Sequence, residues 1–321
     1  MKVSIVIPCK TIDAYTEECV SKCLEVDYPN YEILLLPDHD EEEKSFGENI
    51  RVIPTGCIKP ISKRFMAIAA SDGDVYAFID SDAYPAKDWL RNASRHFKDY
   101  EVAAVAGPSL TPDDDDLMAK AGGLVLASPL GGWSESIRYN QSHPHMRYVS
   151  ETPTCNLIIR KSILKAVKDV VPDVWPGEEI TLCGVVTKDF KKMIVYDPEV
   201  VVYHHRRRLF IPHLKQIWNY GKIKGYLLKK YPRYVRPLFF LPSLLVLGII
   251  GVLPLAMLNR TIGCIYVSLL LAYFLSSIAN SFFVGLKKKS IKLVFLVLTG
   301  TIATHICYGL AFLKGIFSRK P

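Results

Sequence analysis

The amino-acid sequence predicts an α/β fold class, with a Rossmann-like, mainly parallel sheet followed by an all-α membrane region. Up to about residue 205, short apolar runs alternate with helical patterns, as in doubly wound sheets. Three charge-poor stretches follow, and each has the roughly 20 apolar residues needed to cross a bilayer. The charge changes at the same point, because all 32 acidic residues lie at or before Glu199.

The first part is expected to form one domain of about 200 residues with an ample core. Its predicted strands are Val3–Ile7, Glu32–Leu36, Arg51–Ile53, Val75–Ile79 and Glu101–Ala106. Its predicted helices are Ala14–Val26, Ser62–Ala70 and Trp89–Tyr100. Residues 107–153 are rich in Gly and Pro and are predicted as long loops, which in a compact domain are usually functional.

The distribution of charge indicates an anionic membrane surface as the partner of the second part. Residues 1–199 carry a net charge of −10 (22 basic minus 32 acidic), and residues 200–321 carry +18, which together give the +8 of the chain. The basic residues flank apolar runs, so a lipid surface is favoured and no nucleic acid partner is expected.

The eight cysteines show no Cys-x-x-Cys pair, which favours reduced packing residues over zinc ligands or disulfides.

The membrane region is predicted at residues 238–315, with about three transmembrane helices. Its apolar stretches are Leu238–Leu258, Ile262–Leu286 and Ile291–Leu313. Residues 206–237 form a basic segment with an apolar stripe, typical of an amphipathic helix in the membrane interface. The alternative is a core-packed helix, and Pro212, Gly221 and Gly225 suggest two short pieces. The N-terminus does not have the pattern of a signal peptide, so the first domain, residues 1–205, is expected in the cytoplasm of a multi-pass cell (inner or plasma) membrane protein.

The strand Val75–Ile79 ends on two carboxylates, Asp80 and Asp82, on either side of Ser81. In an extended chain, residues i and i+2 lie on the same face, so the two acids point together. Ligands of open α/β sheets bind at the carboxyl ends of strands, and paired acids there can hold a divalent cation. A helix N-cap beside a surface acid is the alternative interpretation.

With these motifs in this order, residues 3–220 resemble the family 2 glycosyltransferases, which are inverting, use nucleotide sugars and have the GT-A fold. The segments that carry the resemblance are Val3–Cys9, Leu35–Asp40, Lys63-Arg64, Asp80-Ser81-Asp82, Thr152–Arg160, Gly177–Cys183 and Asp197–His204. The chain departs from the family pattern at Pro37 and Phe65. It also lacks the Gln-x-x-Arg-Trp motif of processive synthases, which favours the addition of one sugar at a time.

The resemblance implies a role for each matching residue. Glu179 falls on the general-base position, with Glu178 as the alternative base. Asp38 falls on the position that binds the base of the nucleotide, commonly uracil, so a UDP-sugar donor is favoured. The residues implied at the donor site are Pro8, Cys9, Asp38, Lys63, Arg64, Asp80 and Ser81. The residues implied as ligands of Mg²⁺ or Mn²⁺ are Asp80, Asp82 and His204.

The resulting hypothesis is a membrane-anchored, metal-dependent transferase that moves a sugar to a lipid-linked or membrane-proximal glycan. One alternative is a haloacid-dehalogenase-type phosphatase, because such enzymes also end a strand on Asp-x-Asp. They usually continue with Gly-Thr, whereas this chain has Ala83-Tyr84. A second alternative is a catalytically silent homologue that acts as a membrane scaffold. The donor sugar, the acceptor linkage and the oligomeric state do not follow from the sequence.

Overall fold

The structure is a computed structural model that describes residues 1–40, 47, 49–141 and 145–320. The chain divides into two compact units. The first comprises Met1–Pro112 and Asn140–His205, and the second comprises Asp113–Tyr139 and Arg206–Pro321. The second unit therefore includes a segment that the sequence pattern placed among the loops of the first domain.

The described strands all belong to the first unit. They are β1 (Val3–Pro8), β2 (Tyr31–Leu36), β3 (Ile50–Val52), β4 (Val75–Ile79), β5 (Ala83–Pro85), β6 (Val102–Ala106), β7 (Ser109–Leu110), β8 (Arg147–Tyr148), β9 (Asn156–Arg160), β10 (Met193–Tyr196) and β11 (Val202–His204). The helices are α1 (Ala14–Leu24), α2 (Pro60–Ala70), α3 (Trp89–Ser94), α4 (Leu117–Ala127), α5 (Pro129–Gly132), α6 (Lys161–Val167), α7 (Glu178–Gly184), α8 (Ile211–Lys230), α9 (Leu241–Leu258), α10 (Arg260–Lys287) and α11 (Ile291–Phe317). Short 3₁₀ helices cover Arg95–Lys98, Trp133–Tyr139 and Pro237–Phe240, and a π-helical turn covers Val185–Asp189.

The main sheet has the strand order β3-β2-β1-β4-β9-β6-β10-β8. The pairs β2–β3, β1–β2, β1–β4 and β6–β10 are parallel, whereas β9 runs antiparallel between β4 and β6, and β8 runs antiparallel to β10. All five residues of β4 are buried, as expected for a central strand covered on both faces. The predicted α/β fold class is confirmed, and the sheet is mixed, with four of its seven described strand pairings parallel.

A second, three-stranded sheet has the order β5-β11-β7. Strand β5 begins three residues after Asp80, and it pairs antiparallel with β11 so that Ala83 lies opposite His204. This pairing brings the end of the central strand next to a histidine that is 122 residues away from Asp82 in sequence. The small sheet therefore places His204 beside Asp82.

The first unit shows why its helices begin where they do. Asp13 caps α1 by accepting a hydrogen bond from the backbone N–H of Thr16 at 3.0 Å, and Pro60 occupies the first turn of α2. Both features are standard N-terminal signals, because the first amides of a helix have no partner within it. The observed α1 begins at Ala14, the predicted residue, and ends two residues before the predicted Val26.

In the second unit, the Gly- and Pro-rich stretch is more regular than its composition predicted. Residues 117–127 form α4, which Asp116 caps by accepting from the amides of Met118 and Ala119. The prediction of long loops throughout residues 107–153 was therefore wrong for this part. A strong cap and a run of apolar residues outweigh the low helix propensity of Gly122 and Gly123.

Helix α8 is continuous over 20 residues, so the predicted break into two pieces was wrong. Its glycines face α11 at close range: a Cβ on Gly225 would lie 2.1 Å from the carbonyl oxygen of Phe312, and one on Gly221 would lie 2.7 Å from that of Tyr308. On the other helix, a Cβ on Gly315 would lie 2.0 Å from the carbonyl oxygen of Lys222. The glycines allow two backbones to pack closely, as small residues do at membrane helix contacts.

Among the described residues, two helices are long and apolar enough to cross a membrane, α10 and α11. The first predicted span forms the 3₁₀ turn Pro237–Phe240 and α9, and is not one of these two. Many large apolar side chains of α9 and α10 are exposed, including Leu244, Ile250, Ile265, Leu269, Leu275 and Leu286. An exposed apolar surface of this extent marks an interaction with a membrane or another protein. The number of crossings stays a prediction.

His213 on α8 predicts how the stability of the second unit depends on pH. The side chain is buried, its Nε2 lies 2.9 Å from Oγ1 of Thr304, and burial lowers the pKa of His213 from 6.5 to about 4. The unfolded chain therefore binds a proton below pH 6.5 that the folded chain does not bind until about pH 4. As the pH falls from 6.5 to about 4, the free energy of unfolding should decrease by about 1.4 kcal/mol per pH unit, or about 3 kcal/mol in total.

The measurement is the apparent melting temperature of the detergent-solubilised protein between pH 7.5 and pH 4.5. The variant His213→Gln removes the titrating group, so its melting temperature should depend less steeply on pH than that of the parent. Equal slopes for the two proteins would contradict the assignment.

Candidate active site

The candidate site is built around the turn that follows β4. The amide of Ala83 donates to the carbonyl oxygen of Asp80 at 3.0 Å, and the amide of His205 donates to the carbonyl oxygen of Asp82, also at 3.0 Å. These bonds join the turn to the end of β11. The side chain of His204 then lies against Asp82, with Nε2 3.0 Å from Oδ1.

Asp80, Asp82 and His204 form a group that could hold a metal ion. One ligand atom from each residue lies within 4.8 Å of the other two. Among the described residues, this is the group of His, Cys, Asp or Glu side chains that is close enough to hold a metal ion. Carboxylate oxygens suit both Mg²⁺ and Mn²⁺, and Mn²⁺ also accepts an imidazole nitrogen as a ligand. The donor set therefore fits the cation that the sequence motif predicted.

A buried arginine joins this group to α7. One guanidinium nitrogen of Arg64 donates to Oε1 of Glu178 at 2.7 Å, and another donates to Oδ1 of Asp80 at 3.0 Å. The guanidinium also lies over the ring of Phe78, 5.4 Å from its centroid. Arg64 is only 1% exposed, so it is a fixed structural cation and not a solvated surface residue.

The two glutamates at the start of α7 have different surroundings. Gly177 precedes them with a φ of 103°, a conformation that favours glycine. Glu178 is buried against Arg64, and burial raises the pKa of its carboxyl although the guanidinium acts in the opposite direction. Glu179 is partly exposed. Of the two predicted candidates for the base, Glu179 is therefore the one that an acceptor could reach.

Lys63 belongs to α2, and its ammonium group reaches the carboxyl ends of β1 and β2. Its Nζ donates to the carbonyl oxygens of Cys9 at 2.6 Å and Leu36 at 3.0 Å, and to Oδ1 of Asp38 at 2.5 Å. Burial raises the pKa of Asp38, but Lys63, Cys57 and His39 together outweigh burial, and the pKa lies below its ordinary value. Asp38 is thus held as a carboxylate, the state needed to accept hydrogen bonds from a nucleotide base.

The remaining predicted site residues lie nearby in the same unit. Pro8 ends β1, and the amide of the buried Cys9 donates to the carbonyl oxygen of Leu36 at 3.1 Å. Ser81 is the partly exposed residue between the two aspartates. The individual roles assigned to all these residues from the sequence stay predictions.

Sequence reasoning missed two supports of the site. His205 packs beside Tyr15, with ring centroids 4.7 Å apart, and its Nε2 lies 3.0 Å from a carboxylate oxygen of Glu18. Asn156 accepts a hydrogen bond from the indole of Trp89 and donates to the carbonyl oxygens of Pro108 and Val200. The residues next to Trp89 and Asn156 in the sequence do not indicate that these two side chains form a hydrogen bond.

The prediction for Arg64 follows from its burial. In Arg64→Met, the carboxylate of Glu178 would lose its cation while remaining buried, and the free energy of unfolding should fall by about 3–5 kcal/mol. Denaturant unfolding followed by intrinsic fluorescence would measure the loss.

The double variant Arg64→Met/Glu178→Gln serves as the control. It removes the stranded charge, so part of the lost stability should return, because contacting residues are not additive. If the two single losses simply add, the pair is not coupled in the way that the distances imply.

Comparison with known proteins decides the family. The sequence profile described as glycosyl transferase family 2 matches residues 4–167, just over half of the chain. The chain belongs to glycosyl transferase family 2. The resemblance predicted from the motifs is confirmed, and so is the prediction of a glycosyltransferase enzyme. The phosphatase and scaffold alternatives receive no support.

Three known proteins are similar to this glycosyltransferase. It is 24% identical to a dolichyl N-acetyl-alpha-D-glucosaminyl phosphate 3-beta-D-2,3-diacetamido-2,3-dideoxy-beta-D-glucuronosyltransferase of Methanococcus voltae, covering 89% of this chain and 97% of the relative. It is 26% identical to a pre-mycofactocin glycosyltransferase of Mycobacterium tuberculosis, over 56% of this chain and 37% of that protein. The mannosyltransferase PcManGT of Pyrobaculum calidifontis, solved with GDP-Man and Mn²⁺, matches with a TM-score of 0.57 and 15% identity, covering 99% of this chain and 88% of that one. The last similarity supports the GT-A fold of this glycosyltransferase.

Proposed function

We propose that this glycosyltransferase is a membrane-anchored, inverting enzyme that moves a sugar from a nucleotide-sugar donor, with UDP favoured, to a sugar carried on a lipid phosphate. The observation that carries the proposal is the group Asp80, Asp82 and His204 at the end of the central strand. In α/β sheets this is the edge at which ligands bind. Two carboxylates and an imidazole within 4.8 Å of one another suit a cation-assisted diphosphate site better than a structural role.

Asp80, Asp82 and His204 are the residues that would hold Mg²⁺ or Mn²⁺. A divalent cation bound there would neutralise the charge that builds on the leaving nucleoside diphosphate. Arg64 fixes the carboxylate of Asp80 from the protein side. Lys63 does the same for Asp38, which would bind the base of the nucleotide.

Glu179 would act as the general base. Its carboxylate takes the proton of the acceptor hydroxyl while that oxygen forms a bond to the anomeric carbon, and the bond from this carbon to the diphosphate oxygen breaks. A single displacement of this kind inverts the anomeric centre. Glu178 would support the reaction indirectly, because it holds Arg64 and through it Asp80.

The lipid-linked acceptor is supported by the Methanococcus relative, whose name specifies a dolichyl-phosphate-linked sugar and which this chain matches along nearly all its length. The exposed apolar faces of α9, α10 and α11 are consistent with a cell membrane location. The positive charge that precedes these helices favours a cytoplasmic catalytic unit in a multi-pass protein.

The test is a donor screen on purified membranes that contain the protein. Slow hydrolysis of UDP- and GDP-sugars identifies the donor without knowledge of the acceptor, and we expect one UDP-sugar to be hydrolysed fastest. EDTA should abolish this activity, and added Mn²⁺ or Mg²⁺ should restore it. Hydrolysis that survives both EDTA and the variant Asp82→Ala would contradict the proposed site, and release of phosphate from phosphomonoesters would favour the phosphatase alternative.

A further inference from the structure

The second unit contains a cavity of about 270 Å³ that the catalytic group does not use. Its wall is formed by α4, the segment 130–139, α8, α9, α10 and α11. Most of this wall is apolar, and its aliphatic part includes Leu126, Leu130, Leu238, Leu241, Pro242 and Leu245. Ligand sites are commonly concave and largely apolar, with a few polar groups that orient the ligand.

The charged side chains of the cavity are two cations, Arg138 and Lys224, and one carboxylate, Glu135. Glu135 is paired with Arg138 and with Arg236, and a second nitrogen of Arg236 donates to Oγ of Ser134 at 3.1 Å. Lys224, also in the wall, lies with Nζ 3.7 Å from the centroid of the Phe239 ring. Arg138 and Lys224 line the cavity together with the single carboxylate of Glu135, which leaves an excess positive charge of one, and Arg236 lies next to this lining through its pair with Glu135.

The pKa of Glu135 agrees with this excess of positive charge. Burial raises it, but Arg138, Lys224 and Arg236 outweigh burial, and the pKa lies below its ordinary value. The carboxylate is therefore ionised and already neutralises one cation. The lining thus carries more positive than negative charge, and a concave site with such an excess favours an anion.

Two further features are those of a binding site. Trp133 lines the cavity with a φ of 50°, a backbone conformation that is strained for a residue with a side chain, and its side chain is half exposed. Elsewhere in the lining, the hydroxyl of Tyr273 lies 2.9 Å from Nδ1 of His305. His305 thus forms a hydrogen bond between α10 and α11 and lines this cavity.

We propose that this cavity binds the phosphate group of the lipid that carries the acceptor sugar, together with the first hydrocarbon units of its chain. Arg138 and Lys224 contact the phosphate, and the aliphatic wall contacts the chain. The inference rests on the proposed function and adds the place where the lipid is recognised. A phosphate monoester or diester carries the negative charge that complements the excess positive charge of the lining, and the apolar wall distinguishes a lipid from free phosphate.

The size of the cavity is consistent with a headgroup. Pockets for whole drug-sized ligands span roughly 300–1,000 Å³, so a volume of about 270 Å³ holds a phosphate and the start of a chain but not an entire long lipid. The rest of the chain would lie along the exposed apolar surface of the helices.

The experiment measures binding of farnesyl phosphate to the full chain in detergent, with farnesol and inorganic phosphate as separate arms. Farnesyl phosphate should bind at least about tenfold more tightly than either. Lys224→Gln and Arg138→Gln should each weaken it by about tenfold or more, whereas Lys224→Arg should retain it. The matched control is Lys215→Gln, an exposed lysine on the same helix that does not line the cavity.

Several outcomes would overturn the proposal. They are equal affinity for farnesyl phosphate and farnesol, equal affinity for inorganic phosphate, or no effect of Lys224→Gln in a protein whose melting temperature is unchanged. Donor hydrolysis separates this inference from the proposed function. If hydrolysis and its dependence on Asp82 persist while farnesyl phosphate does not bind, the lipid site fails and the transferase stands. If farnesyl phosphate binds as expected but no nucleotide sugar is hydrolysed, the proposed function fails and the lipid site stands.

Discussion

Replacement of Asp82 by alanine is expected to lower the rate of glycosyl transfer on the order of 1,000-fold or more. The variant removes a carboxylate from the group with Asp80 and His204 and leaves the imidazole of His204 without its partner at 3.0 Å. A bound cation stabilises transition-state charge by several kcal/mol, and each 1.36 kcal/mol corresponds to a factor of ten in rate. Initial rates with a radiolabelled donor would measure the loss.

The matched control for this variant is Asp72→Asn, which changes an exposed acid paired with Lys2. Its rate should stay within about twofold of the parent, because surface ion pairs contribute little. Binding of Mn²⁺ followed by calorimetry should also be lost in Asp82→Ala and kept in the control. A rate within tenfold of the parent for Asp82→Ala would rule out the assigned site.

Replacement of Glu179 by glutamine is expected to lower kcat by roughly 100- to 10,000-fold while the donor still binds. Glutamine keeps the size of the side chain but cannot accept the proton of the acceptor hydroxyl. Because Glu179 is partly exposed and Glu178 is buried against Arg64, the two glutamates should respond differently. Calorimetric titration with the nucleotide sugar, combined with single-turnover transfer, separates binding from chemistry.

The comparison variant is Glu178→Gln. It weakens the bond to Arg64, so its main effect should be a lower melting temperature together with a moderate loss of rate through the position of Asp80. If instead Glu178→Gln abolishes transfer with unchanged stability and Glu179→Gln is active, the assignment of the base must be exchanged.

Much of the first unit could be predicted from local patterns. The strand Val75–Ile79 was predicted with the bounds that the structure shows, because five buried apolar residues followed by acids leave few alternatives. Strand β9 was recognised only as a motif segment. Its apolar run is compatible with a parallel or an antiparallel neighbour, and only its position between β4 and β6 decides the direction.

The helices of the second unit show where composition misleads. Gly221 and Gly225 suggested a break, since glycine lowers helix propensity by about 1 kcal/mol. In the folded chain the same residues permit contact with α11, and that packing outweighs the propensity. The effect of a glycine on a helix therefore depends on what lies beside it, which the sequence does not state.

By itself, the sequence determined the order of the strands and helices up to about residue 106, the acidic end of the central strand and the membership of a family, because each depends on residues close together in the chain. Only the tertiary structure decided which groups share an environment. Arg64 reaches a glutamate 114 residues away, and the cavity of the second unit is assembled from α4, residues 130–139 and four later helices. Such contacts depend on packing between distant segments, and burial then decides which carboxylate is held by the protein and which one remains accessible to substrate.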